Sequence, residues 1–398
     1  MNRTALSSSK TGSIFVALAL AALAIAGIAT ARGQDETIHL KSYFAVHPLP
    51  NPDYQALQEQ SDANVGLKVF TYHATSTRQG SKGQKFTGMM VGNSPFTSKA
   101  TSTETMQIVP VIVKIGNTTF DPTKANSCDA GKVPLKQFQG SPLVLPAKFK
   151  LNGVNVGIGQ YSDAFTRASF WKPIVKNGGT YNNNLKVVTL KPIHYSQGSK
   201  GVIILNQGCG PLGGLDFNTL ISDFENKVVP ALQNSGQGVG PTTFPVFMLH
   251  NVVMYEGSVT NCCVLGFHDA FNSKGAVQTY SPFDYDTTKD FVNNNNIPLT
   301  DTYFAAHEIN EWVNDPFGNN PTPAWGKVGQ VTGCQNNLEV GDPLTGTNPI
   351  NVKMSNGMTY ELQELAFFSW FYGPPSIGAG GKFSDNRTFT SAQGACTN

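Results

Sequence analysis

Charge is what this sequence has least of. Only 14% of its 398 residues are charged, and 28 Lys and Arg against 26 Asp and Glu leave a formal net charge of +2. A chain with so little charge is not held unfolded by self-repulsion. Its near-neutral balance gives no electrostatic reason to expect nucleic acid or an anionic membrane as a partner. Cys-x-x-Cys pairs are also missing, which makes a thiolate zinc site the weaker reading of the cysteines. There is no internal repeat. The glycine-rich "GCGPLGG" (208–214) lacks the following Lys-Ser/Thr of a phosphate loop and reads as a turn. Beyond the first thirty or so residues, no apolar run approaches membrane-spanning length.

The one long apolar run lies at the N-terminus. Arg3 and Lys10 precede Ile14–Ile28, and Ala29-Thr30-Ala31 follows. A positive flank, a short greasy core and an A-x-A site form the pattern of a secretory signal peptide, here cut after Ala31. The alternative is an uncleaved membrane anchor. Export would place the mature protein outside the cell or in the periplasm, with no membrane association after cleavage. Cys128, Cys209, Cys262, Cys263, Cys334 and Cys396 are even in number, so an oxidising compartment predicts up to three disulfides. Adjacent Cys262 and Cys263 are expected to bond elsewhere, since neighbours rarely meet disulfide geometry.

Hydrophobic residues make up 40%, with Gly 40 and Pro 24, enough for a sizeable core joined by many turns. Residues 32–104 are rich in Ser and Thr and read as a β/loop-rich N-terminal extension, with residues 105–398 as the main domain. There "IVPVIVKI" (108–115), "KVVTLKPI" (186–193), "GVIILN" (201–206) and "FPVFMLHNVVM" (244–254) read as strands. "QYSDAFTRASFW" (160–171) and "LDFNTLISDFENKVVPAL" (215–232) have helical spacing, the second with Asp216 as N-cap. Strands and helices in alternation predict a layered α/β (α+β) domain.

Chemistry concentrates in "AAHEINEWVNDPFG" (305–318). A helix capped by Thr300 or Asp301 places His307 and Glu311 on one face, one turn apart, where both can bind a single metal ion. Glu308, rotated off that face, can reach a water on the metal as general base. Asp315 is about 12 Å further along the axis from His307 and cannot share the ion; followed by Pro316, it should end the helix. The alternative is a solvated face carrying ordinary charges. A third ligand must come from elsewhere. Glu339 and Asp342 in "NNLEVGD" are the candidates, one as ligand while the other accepts the free ring N–H of His307. Upstream, His268 in "LGFHDAF" is either a satisfied structural histidine or, like Tyr280, a stabiliser of the oxyanion.

The ordered set "CCVLGFHDAF" (262–271), "HEINEWVNDP" (307–316), "AW" (324–325), "LEVGD" (338–342) and "NGMTYELQELAFFSWF" (356–371) resembles the His-Glu-x-x-Glu signature of bacterial zincin-like exported proteins and the plant phosphate-induced, EXORDIUM-like proteins. The likeness covers about 260–372. It implies a zincin-like catalytic core built on a mixed sheet with an active-site helix, with His307 and Glu311 as zinc ligands and Glu308 as base. It does not imply proteolysis. Pro343 stands where members often have a cysteine after Gly-Asp, so the resemblance gives that disulfide to Cys334. "AAHE" replaces the commoner Ser/Gly-His-Glu.

A site with Glu311 in place of a second histidine is closer to neutral, so its water is harder to deprotonate and Glu308 carries more of the proton transfer. Such an oxygen-rich site can accept manganese or calcium beside zinc. The leading expectation is a secreted zinc metallohydrolase, most simply a peptidase acting on peptide or protein substrates. Its rival is a non-catalytic binding protein of the cell wall, with a structural or vestigial metal. A glycosidase with paired carboxylates is a third class.

Overall fold

The computed structural model describes residues 43–204, 208–377, 381–392 and 396–397, so the signal-peptide expectation for residues 1–31 lies outside the described residues. The chain opens with β1 (Tyr43–His47), α1 (Tyr54–Asp62) and the hairpin β2 (Val69–Thr75) and β3 (Lys85–Val91). Then come β4 (Ser102–Ile115), β5 (Thr118–Phe120), α2 (Pro134–Gln139), β6 (Ala147–Leu151) and β7 (Val154–Gly159). Helices α3 (Tyr161–Ser169) and α4 (Trp171–Lys176) precede β8 (Asn183–Thr189), β9 (Ile193–Tyr195), β10 (Val202–Ile204) and β11 (Leu212–Asp216). A helical stretch follows as α5 (Phe217–Asp223), a π-turn over Phe224–Val228 and α6 (Val229–Asn234). Strands β12 (Thr243–His250), β13 (Val252–Tyr255), β14 (Cys262–Ser273) and β15 (Ala276–Tyr285) lead to α7 (Tyr303–Asn314). Two hairpins, β16 (Pro321–Val328) with β17 (Val331–Asn337) and β18 (Ile350–Lys353) with β19 (Thr359–Leu362), and the short α8 (Phe368–Phe371) complete the order.

A mixed eleven-stranded sheet organises the molecule, in the order β10-β11-β13-β14-β15-β12-β4-β5, with β1 on β14 and both β8 and β9 on β4. Its central pairs β15–β12 and β12–β4 are parallel, whereas β13–β14 and β14–β15 are antiparallel. Strands buried on both faces alternate their side chains between two layers. On β12, Val246 and Met248 enter the core shared with α7, while Phe247 and Leu249 enter the core shared with the 217–234 helices. The result is the layered mixed α/β arrangement expected from the sequence. The N-terminal segment contributes to it: Val69, Tyr72 and Met89 of the β2–β3 hairpin lie in the same core as Ile309 and Trp312 of α7.

Several local expectations hold. β4 covers the 108–115 run, α3 falls within 160–171, and Asp216 caps α5 by accepting from the Thr219 amide. Others need correction. The 244–254 run is two strands: Asn251 adopts φ +53° and sends β12 and β13 to different places in the sheet. Within "GCGPLGG", Leu212–Gly214 already belong to β11. The residue capping α7 is Thr302, not Thr300 or Asp301, and it makes no side-chain cap bond. Asp301 instead sits at φ +48° and accepts from the Thr302 and Glu361 amides.

The disulfides are Cys128–Cys209, Cys262–Cys263 and Cys334–Cys396. The expectation that the adjacent pair bonds elsewhere is therefore wrong, because the other four cysteines pair among themselves. Among the described residues, no helix is long and apolar enough to cross a membrane.

Candidate metal centre

Every residue of α7 is buried. The helix lies across the sheet, with Trp312 stacked on Phe244 of β12 at 3.8 Å and donating to Thr279 Oγ1 of β15 at 3.0 Å. It ends where the sequence indicates: Asp315 follows Asn314, leaves helical geometry at φ −143°, and accepts from the amides of Asn319 and Asn320. With its carboxylate engaged there, Asp315 is no ligand.

His307 and Glu311 meet as their spacing requires, with Nε2 2.9 Å from Oε2. Alternation on β14 sends Phe267 to the far core and His268 toward α7. His268 Nδ1 lies 3.4 Å from Glu308 Oε2 and 3.7 Å from Glu311 Oε2. The loop after β17 closes the cluster: Asp342 Oδ1 is 3.6 Å from His307 Nε2, and Glu339 Oε2 is 4.0 Å from His268 Nε2. Thus His268, Glu308, His307, Glu311, Glu339 and Asp342, all singled out in the sequence, converge. His307, Glu311 and Asp342 bring ligand atoms within 4.8 Å of one another, as do His268, Glu308 and Glu311.

Two glycines make the approach possible. A Cβ on Gly341 would lie 2.4 Å from His307 Nδ1, and one on Gly266 would lie 2.8 Å from Glu308 Cγ. Gly341 and Asp342 also donate their amides to Glu311 Oε1 at 3.0 and 3.3 Å, leaving Oε2 to face the two imidazoles.

The ring of His307 is oriented by a residue that the sequence reading missed. Its Nδ1 is 2.9 Å from Gln363 Oε1, while Gln363 Nε2 donates to the Gly341 carbonyl at 2.7 Å. The second bond fixes the amide, so Nδ1 must carry the proton that Oε1 accepts. The expectation that Glu339 or Asp342 takes this N–H is therefore replaced by Gln363. Its only signal was its place in the "NGMTYELQEL" segment. Tyr280, a candidate oxyanion stabiliser, is not at the site: it packs among Phe224, Phe247 and Phe267 on the opposite face of the sheet.

Four carboxyl groups and two imidazoles therefore share one buried space, and among the described residues no Lys or Arg forms an ion pair with them. Burial pushes Glu308 well above the usual carboxyl range, and Glu311 and Asp342 push it further. Burial and then the neighbouring carboxylates do the same to Glu339. Asp342 is raised to about 8 by burial and Glu311, against the pull of His307. Burial would also raise Glu311, but His307 outweighs it and holds this group low. Burial lowers His268 to about 4.

A centre this acidic fits a cation. With Nδ1 protonated toward Gln363, His307 Nε2 faces Glu311 yet makes no well-directed hydrogen bond. Glu308 Oε1 and Glu339 Oε2 are likewise buried without a hydrogen-bond partner. Buried donors and acceptors normally find partners, so orphaned atoms around one point mark a place for an ion. These residues could hold a metal ion. The chain matches no family model and no curated protein sequence.

Proposed function

We propose that the centre binds a divalent cation, zinc foremost, and that the protein is a secreted, zincin-like metallohydrolase acting on peptide bonds. The observation that carries this reading is the convergence of His307, Glu311 and Asp342 on one point, with Glu308 and His268 beside it. The three disulfides accord with export. His307, Glu311 and Asp342 would hold the ion, with the free Oε2 of Glu339 as a further oxygen donor.

When bound, the metal supplies Lewis acidity toward a carbonyl oxygen and toward water. Glu308 then does the proton work. Its carboxyl sits on α7 one position from the ligand His307, where its carboxylate can take a proton from water and deliver it to the leaving amine. His268, 3.4 Å away, positions that carboxylate; kept neutral by burial, it adds no competing charge. The oxygen-rich donor set also admits manganese or calcium.

Burial favours a second reading. His307, Glu308 and Glu311 are at most 1% exposed, so the ion could serve only to tie α7 to the loop at Glu339–Asp342. Metal analysis of the mature protein and of Glu308→Ala, each assayed on unfolded protein substrates, separates the two. Stoichiometric metal in both, with activity only in the parent, is expected for the hydrolase. Metal in both with activity in neither supports the structural role, and no metal in either sinks both readings.

A further inference from the structure

The centre is closed by the chain's own first described strand. β1 runs parallel to β14, and its register sets Val46 beside His268. β13 pairs with β14 only around Val264 and Cys262, so β1 takes the stretch of that edge next to the centre. From β1, Phe44 lays its ring on the imidazole of His307, with centroids 3.7 Å apart and planes 14° from parallel, and packs against Phe304. Phe44 itself is only 4% exposed.

The backbone of Phe44 is held by the site as well. Its N–H donates to Gln330 Oε1 at 2.9 Å, and Gln330 Nε2 donates to its carbonyl at 2.9 Å and also to Asp342. At the strand's end, His47 Nδ1 lies 3.1 Å from Asp269 and 3.5 Å from Glu225. The chain then turns through exposed Pro50 and Asn51. One short strand therefore contacts a candidate ligand directly and a second through one side chain, and it pairs with β14 beside His268.

We propose that Tyr43–His47 is a strap that shuts the metal centre, and that the centre opens only when this strand leaves β14. The proposal rests on the metallohydrolase reading and says how that site is regulated. Departure of the strand would uncover one face of His307 and free the backbone N–H and C=O groups of β14 around Val264–Asp269. An extended peptide with an aromatic or large apolar side chain at the Phe44 position can pair with such an edge. The strap is then its intramolecular competitor.

The test uses the zinc-loaded full chain with a site-specific protease sequence placed in the Pro50–Asn51 turn. Zinc transfer to a chelator is followed before and after cutting and dilution, beside hydrolysis of an unfolded protein. A parallel Phe44→Ala chain is left uncut. Cutting, and Phe44→Ala alone, should each speed zinc transfer by at least about ten-fold, as expected when a local closure is removed. A synthetic peptide spanning residues 43–49 should restore slow transfer, and the same peptide with Phe44→Ala should not. Equal transfer rates in intact, cut and Phe44→Ala chains, with zinc bound in all three, would overturn the strap and leave the metallohydrolase reading standing. Zinc bound by none of them would instead remove that reading, and the strap with it.

Discussion

Gln363 fixes His307 through two bonds of its own amide: the imidazole donates Nδ1–H to the amide oxygen at 2.9 Å, and the amide nitrogen is pinned to the Gly341 carbonyl at 2.7 Å. One side chain thus sets the ring's tautomer and joins it to the loop that carries Asp342. Partners of this kind commonly tune metal affinity by about 10- to 100-fold. Gln363→Leu should weaken zinc binding by about that factor and leave far-UV circular dichroism unchanged. Competition with a chromophoric chelator measures it, and unaltered affinity would remove Gln363 from its positioning role.

Metal removal should cost stability, because four buried carboxyl groups lose their counter-charge. At a free zinc concentration about 100 times the dissociation constant, mass action alone adds about 2.7 kcal/mol to the folded state. The thermal midpoint should therefore fall on chelation and recover when zinc is returned. In His307→Ala the difference between the two conditions should shrink sharply. Calorimetric scans of both chains with and without chelator check this.

The strap should also respond to pH through His47. Hydrogen bonds to Asp269 and Glu225 raise its pKa from 6.5 to about 10. A raised folded-state value means that this contribution is full below the unfolded pKa of 6.5 and is lost as pH rises through about 10. At the acid end the limit is Asp269, which burial holds above the usual carboxyl range against the pull of His47. With the His47 side chain 44% exposed, solvent screening keeps the effect modest. The gap in thermal midpoint between the parent and His47→Gln should narrow from near neutrality toward pH ~10. A gap that widens over that range would contradict the ion pairs.

Two of the disulfides should differ in what they protect. Cys334 lies in β17, directly before the loop with Glu339 and Asp342, and bonds Cys396. Cys128–Cys209 joins segments 81 positions apart that hold none of the six site residues. Replacing either pair by serine should destabilise the fold, by about 4 kcal/mol on chain-entropy grounds for the longer loop. Only the Cys334→Ser/Cys396→Ser double variant should also weaken zinc binding. Denaturant titrations paired with zinc titrations on both variants distinguish the two.

The convergence of the candidate site was largely legible in the sequence because its logic is local. A helix repeat fixes His307 and Glu311 on one face whatever surrounds them, and the same short segments supply Glu308, Asp342 and Glu339. What could not be read depends on contacts distant in sequence. Gln363 reaches His307 across 56 positions and Gln330 reaches Phe44 across 286, and neither glutamine differs in sequence from its many surface counterparts. Asn251 divides what reads as one apolar run, and only its left-handed backbone reveals the break. Cys262–Cys263 defeated a sound geometric expectation because the other cysteines had found their own partners.

Gln330 touches both Phe44 and Asp342, so on the proposed reading seating the strand and binding an ion at the centre would be energetically linked rather than independent events. Linkage runs equally in both directions: if a docked strand tightens the hold on the ion by some factor, a bound ion must tighten the hold on the strand by the same factor. A chain that folds where zinc is plentiful would then fasten its own cover more firmly, and one starved of metal would shed it more readily.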